Sequence, residues 1–215
     1  MAKNMYSLIL TEEIVNEIDR LAGASGTSRS ALINSILAEY VSYRTPEMRI
    51  RDMFDRMEHR LKGSGELQVM LRSSDSLFNL RSMLNYKYNP IVNYNIELYR
   101  TESNAFGEIR IGLRTQNSTL KLYLLQFYKL WARIETAYNR GAEYTVSGER
   151  FTKKLIIPIG AQITEDELSA GVAEYVTAFD RALKEFFNYL NEPNLAVKTV
   201  EQIYLSYAQK CRITL

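Results

Sequence analysis

One cysteine and one histidine occur in the 215 residues, and this scarcity removes whole classes of chemistry. A structural zinc site takes four Cys or His ligands, more than the chain owns. A lone thiol, Cys211, forms no intramolecular disulfide and fits a reducing compartment. Any serine or cysteine nucleophile would need His59 as its base. That residue lies in "RMEHRLKG", which reads as the exposed end of a helix, where the dipole favours a solvated cationic side chain. The chain also lacks the G-x-x-x-x-G-K-[ST] and G-x-G-x-x-G loops that cradle phosphates. Aspartates and glutamates are common, but none is singled out as an acid/base pair. No apolar run approaches the roughly 20 residues of a membrane span. At the N-terminus "LIL" is followed at once by two glutamates, unlike a leader peptide. The expectation is a cytoplasmic protein with no membrane segment and no cofactor, and not an enzyme.

What is present is ordinary globular material: 46% hydrophobic, 24% charged, with a formal net charge of +2. The boundaries suggested by Pro46 and by "KGSG" at 62–65 divide it into residues 1–45, a connecting helix and hinge over 46–63, and a larger part over 64–215. The expected fold class is α+β. In the first piece Tyr6, Leu8 and Leu10 alternate with Met5, Ser7 and Ile9, which predicts a strand over 5–10. Thr11 is placed to cap a helix whose first turn holds Glu12 and Glu13, with Ile14, Ile18 and Leu21 on its apolar stripe. "GASG" ends it. A second helix starts at Thr27 or Ser28 and carries Leu32, Ile33, Ile36, Leu37 and Tyr40.

A strand must place its backbone N–H and C=O groups, and no local hairpin mate follows this one. A second copy of the chain supplies a mate. Two such strands pair antiparallel across a two-fold axis, and four helices close over Tyr6, Leu8 and Leu10 as one core. Neither piece of about 40 residues is large enough to fold alone. Ile14, Ile18, Leu32, Ile33 and Ile36 complete the expected dimer core.

Residues 4–43 resemble the ribbon-helix-helix family of DNA-binding proteins. The segments that carry the likeness are "MYSLIL", "TEEIVNEIDRLA" and "SGTSRSALINSILAEYV". The last fits a Gly-x-Ser-[basic]-Ser-x-x-[apolar] signature through Gly26, Ser28, Arg29, Ser30 and Ile33. The start of the second helix presents backbone N–H groups, hydroxyls and a positive dipole end, an arrangement suited to a DNA phosphate. Lys3, Thr27, Ser28, Arg29 and Ser30 are the candidate phosphate contacts. The resemblance implies that the paired strands lie in the major groove with Met5, Ser7 and Ile9 outward. Family readers usually carry Arg, Lys, Asn, Gln or Thr on that face. Here Ser7 alone offers a hydrogen bond, and Met5 and Ile9 suit thymine methyl groups. Exposed apolar side chains need a cover, whether DNA, a partner protein or the chain's own C-terminal part. Through residue 45 four bases (Lys3, Arg20, Arg29, Arg44) face five acids (Glu12, Glu13, Glu17, Asp19, Glu39), so this piece has a net charge of −1. With the apolar strand face, that balance implies modest affinity per dimer, shallow salt dependence or dependence on tandem sites, or else a module that only dimerises.

The resemblance implies a homodimeric or higher-order repressor of double-stranded DNA. Related uses are marking a plasmid or phage site for partition, transfer or packaging, or acting as an antitoxin or other protein-interaction module. The larger part reads as antiparallel strands with long helices against one face. Strands are expected over 66–72, 91–99, 106–114, 143–147 and 150–158. Helices are expected over 75–86, 118–139, 164–189 and 195–210, with "TEDE" as a capping box. Tyr86, Tyr88, Tyr94 and Tyr99 form either an aromatic core or a pocket for a small-molecule effector or protein partner. Arg100, Arg110, Arg114, Lys153 and Lys154 form a candidate basic strip or a solvated face.

Overall fold

A computed structural model of the chain describes residues 7–62, 67–71, 74–100, 104–139, 141–157 and 161–211. The chain divides into two compact units, Met1–Arg49 and Ile50–Leu215.

In the first unit, helices α1 (Glu12–Ala24) and α2 (Arg29–Tyr40) are joined by a short turn. α1 closes in a Schellman motif: the Thr27 amide donates to the Ala22 carbonyl and the Gly26 amide to that of Gly23, with Gly26 at φ +62°. α2 closes in the same way, Tyr43 donating to Ala38 and Ser42 to Glu39. There the left-handed residue is Ser42, at φ +54°. Ser7–Leu10, the described part of the strand expected over 5–10, has no regular secondary structure in the single chain. Its backbone has no strand partner among the described residues, which removes what a strand requires.

The division between units falls inside α3 (Pro46–Leu61). Sequence reading makes this helix a connector. Instead Ile50, Met53, Phe54, Met57 and Leu61 are buried and join the core of the second unit, where Phe54 stacks on Phe78. That core lies on one face of a six-stranded antiparallel sheet in the order β1-β2-β3-β4-β6-β5. The strands are β1 (Gln68–Val69), β2 (Leu77–Met83), β3 (Ile91–Leu98), β4 (Ala105–Gly112), β5 (Tyr144–Val146) and β6 (Arg150–Ile156). The remaining helices are α4 (Ser118–Tyr138), α5 (Glu165–Asn188) and α6 (Pro193–Lys210). The α+β class and the long helices against one sheet face are as the sequence suggests.

Alternation settles the sheet's two faces. Phe78, Leu80, Tyr94, Ile96, Ile109, Ile111, Phe151 and Leu155 turn inward; Asn79, Asn93, Asn95, Arg110 and Thr152 turn outward. Gly107 follows a bulge in β4 and passes so close to β3 that an added Cβ would lie 2.3 Å from the Glu97 carbonyl oxygen. Phe179 of α5 is the centre of the core, with the rings of Tyr94, Phe127, Tyr128, Trp131, Phe151 and Tyr175 at centroid distances of 5.1–6.4 Å. Thr164 and Glu167 form both halves of the expected capping box at the start of α5.

Residues 77–83 are a strand, where the sequence reading places a helix over 75–86. Leu77, Leu80 and Leu84 mimic helical spacing, and Ser82, buried among inward side chains, interrupts the period-two pattern. Of the strand expected over 66–72, residues 66 and 72 lie outside the described residues, and among the rest Gln68–Val69 are a strand. The four tyrosines near residue 90 do not cluster. Tyr94 is buried and donates to Asp180 at 2.7 Å, Tyr86 packs on Tyr123 and Phe187, Tyr88 is exposed, and Tyr99 donates to Glu108.

Candidate nucleic-acid interface

The candidate interface is the turn between α1 and α2 with the segment before α1. At the start of α1 the Thr11 carbonyl accepts from the Val15 amide at 3.1 Å, but its hydroxyl caps no backbone amide. The hydroxyl instead serves Glu13: a hydrogen bond from that residue's own backbone and one from Thr11 hold the Glu13 carboxyl below its usual range. At the start of α2 the structure decides between the two possible caps. The Thr27 amide is used in closing α1, and Ser28 Oγ accepts from the Ala31 amide at 3.3 Å. No acid lies in the first turn of α2, so the dipole's positive end is not neutralised along the helix. Ser30 is exposed one residue further on. Thr27, Ser28, Arg29 and Ser30 are therefore together at one exposed helix start.

Arg29 does not stand free. Its Nε and Nη2 donate to the two carboxylate oxygens of Asp19, a fork-to-fork pair reaching back to α1. Both groups are about half exposed. The hydrogen bond from Arg29 holds the Asp19 carboxyl below its usual range, and the same bond raises the guanidinium. Sequence reading does not single out Asp19. Its only signal is an acid late in one helix and a base early in the next, which becomes a pair once the turn folds them together.

The apolar side chains of this unit are mostly uncovered in the single chain. Ile18, Ala22 and Ala38 are buried, and Leu32 and Ile33 are half-buried. Leu8 (63%), Ile9 (103%), Leu10, Ile14 (48%) and Ile36 (45%) are exposed. Leu21, Leu37, Tyr40 and Val41 are exposed as well. Ser7 is exposed beside Leu8. Lys3, Met5 and Tyr6 lie outside the described residues.

No family model, curated protein or solved structure matches the chain.

In the second unit the candidate basic strip separates into pairs. Lys153 and Lys154 are consecutive in β6 and so face opposite ways. Lys153 turns inward, fully buried, and donates to Glu135 at 2.7 Å. Lys154 turns outward and donates to Glu108 at 2.6 Å, and Arg110 pairs with Glu97 at 2.7 Å and with Glu108. Burial pushes the Glu108 carboxyl up, but hydrogen bonds from Lys154, Tyr99 and Arg110 outweigh it and leave the group lowered. Arg81 and Arg150 are exposed on the same outer face, and Arg100 and Arg114 are exposed just beyond the ends of β3 and β4. Among the described residues no group of three or more His, Cys, Asp and Glu side chains is placed to hold a metal ion, and no helix is long and apolar enough to cross a membrane.

Proposed function

We propose that the protein binds double-stranded DNA as a homodimer, its two N-terminal segments pairing as a ribbon in the major groove, and that it acts as a transcriptional repressor. The observation that carries this reading is the exposed apolar surface of the first unit. Leu8, Leu10, Ile14, Leu21, Ile36 and Leu37 are bulky and outward in a unit too small to bury a core by itself. Covering the exposed part of each contributes on the order of 1 kcal/mol, enough in sum to hold two copies together. The same pairing gives Ser7–Leu10 the backbone partner it lacks. The start of α2, with Ser28, Ser30 and the helix dipole, supports a phosphate contact.

Asp19 takes two of the five N–H donors of Arg29 and offsets its charge, so a phosphate competes with it for the guanidinium. Sedimentation of the full chain, followed by footprinting on the region upstream of its own gene, tests the reading. A dimer and a protected inverted or tandem repeat are expected. Asp19→Asn should tighten binding to all sequences. Arg29→Ala should weaken it uniformly and reduce the salt slope by roughly one per subunit. A monomer at micromolar concentration, or a dimer that protects nothing, overturns the proposal. The exposed Ile9 and the occupied Arg29 favour a second reading, an antitoxin-like module whose N-terminal face covers another protein. Stoichiometric co-purification of a neighbouring gene product, with no protected site, selects it.

A further inference from the structure

A cavity of about 450 Å³ opens in the second unit between α4, the end of α5 and the start of α6. It lies beside the turn in which α5 ends at Asn188 and α6 begins at Pro193. Leu130, Phe186 and Ala196 are its buried lining, and Tyr123 and Tyr189 are half-buried beside them. The volume is in the range of small-molecule sites, and the lining is predominantly apolar and aromatic.

Two cations border this apolar space, Lys129 and Arg133, one turn apart on α4. Like charges at that spacing oppose the helix. The positions one turn away on either side are Leu125, Gln126, Leu130, Ala132, Thr136 and Ala137, so α4 supplies neither cation with an acid. Neither has an ion-pair or hydrogen-bond partner among the described residues, although most charged groups on the sheet and on α3 are paired. The first two turns of α6 form a third wall through Pro193 and Val197, and its N-cap residue, Glu192, makes no side-chain cap. The Glu192 carboxylate offsets the positive end of that helix, so the positive charge at the cavity is that of the two side chains.

We infer that this cavity binds a small amphipathic anion, an apolar monocarboxylate of medium-chain fatty-acid size, with its body on Leu130, Phe186 and Ala196 and its carboxylate between Lys129 and Arg133. The inference is independent of the DNA-binding reading, because every residue in it belongs to the second unit.

The test is calorimetric titration of the full chain with decanoate, below its micelle concentration, and with decanol, which has the same tail and no charge. Saturable decanoate binding at one per chain is expected, with decanol at least about tenfold weaker, since charge-assisted hydrogen bonds supply the difference. The double variant Lys129→Ala/Arg133→Ala should bind decanoate about tenfold or more weakly, with decanol unchanged. Both side chains are exposed, so its circular dichroism should match the parent. Val197→Trp, at the rim, should exclude both molecules. The inference is overturned by no saturable decanoate binding below on the order of 1 mM. Equal affinity for decanol, or decanoate binding that survives the double variant, also overturns it.

Discussion

Lys153 is the residue on which the sheet's inner face depends most sharply. Strand register puts it in one row with Ile109, Ile96 and Phe78, a position for an apolar side chain. Its ammonium is fully buried, bonded to a Glu135 that is equally buried and that also accepts from the Tyr175 hydroxyl at 3.2 Å. Tyr175 in turn accepts from Trp131 Nε1 at 2.9 Å, so the network is closed by neutral donors. Burial pushes the Glu135 carboxyl above its ordinary range while Lys153 and Tyr175 pull it down. A buried pair contributes little net stability, yet removing one member leaves an uncompensated charge. Lys153→Met should therefore cost about 3–5 kcal/mol, and Lys153→Met/Glu135→Leu should cost less than Lys153→Met alone. Urea denaturation of the two variants and the parent checks this. A single variant within about 1 kcal/mol of the parent would mean that the pair is solvated in solution.

At the level of elements, the two helix ends of the first unit differ by one atom group. α1 and α2 close with the same hydrogen bonds, but the left-handed position is Gly26 in one and Ser42 in the other. A residue with a Cβ at that φ costs roughly 1 kcal/mol relative to glycine. Ser42→Gly should raise the calorimetric unfolding midpoint of the first unit by a few degrees; Gly26→Ala should lower it. Elements with local rules were legible in the sequence: Thr164 and Glu167 name the start of α5, alternation names β3 and β4, and Gly26 names the end of α1. Elements whose form depends on distant residues were not. β2 reads as a helix because Ser82 occupies an inward position that only the finished core makes apolar. The strand expected before Thr11 has no pairing partner among the described residues. The Asp19–Arg29 pair requires the turn to be folded first. Lys153 could have been separated from Lys154 by alternation alone, a rule that a search for basic strips passes over.

For the whole molecule, the division inside α3 sets which fragments stand alone. A chain beginning at Thr45 keeps the helix start, where the Thr45 hydroxyl accepts from the Met48 amide at 3.2 Å, and keeps the buried face from Ile50 to Leu61. It should unfold cooperatively and lack DNA affinity. A chain beginning at Lys62 loses five buried apolar side chains, Ile50, Met53, Phe54, Met57 and Leu61. At roughly 2 kcal/mol each, the loss is about as large as the whole stability of a typical domain. It should remain without a cooperative transition in denaturant, and a sharp one would return α3 to the role of linker. The sheet itself is bounded by stubs, β1 of two residues and β5 of three. Such short borders give a passing strand too few free amides to zip onto. Concentrated solutions should consequently resist growing into fibrils through the sheet.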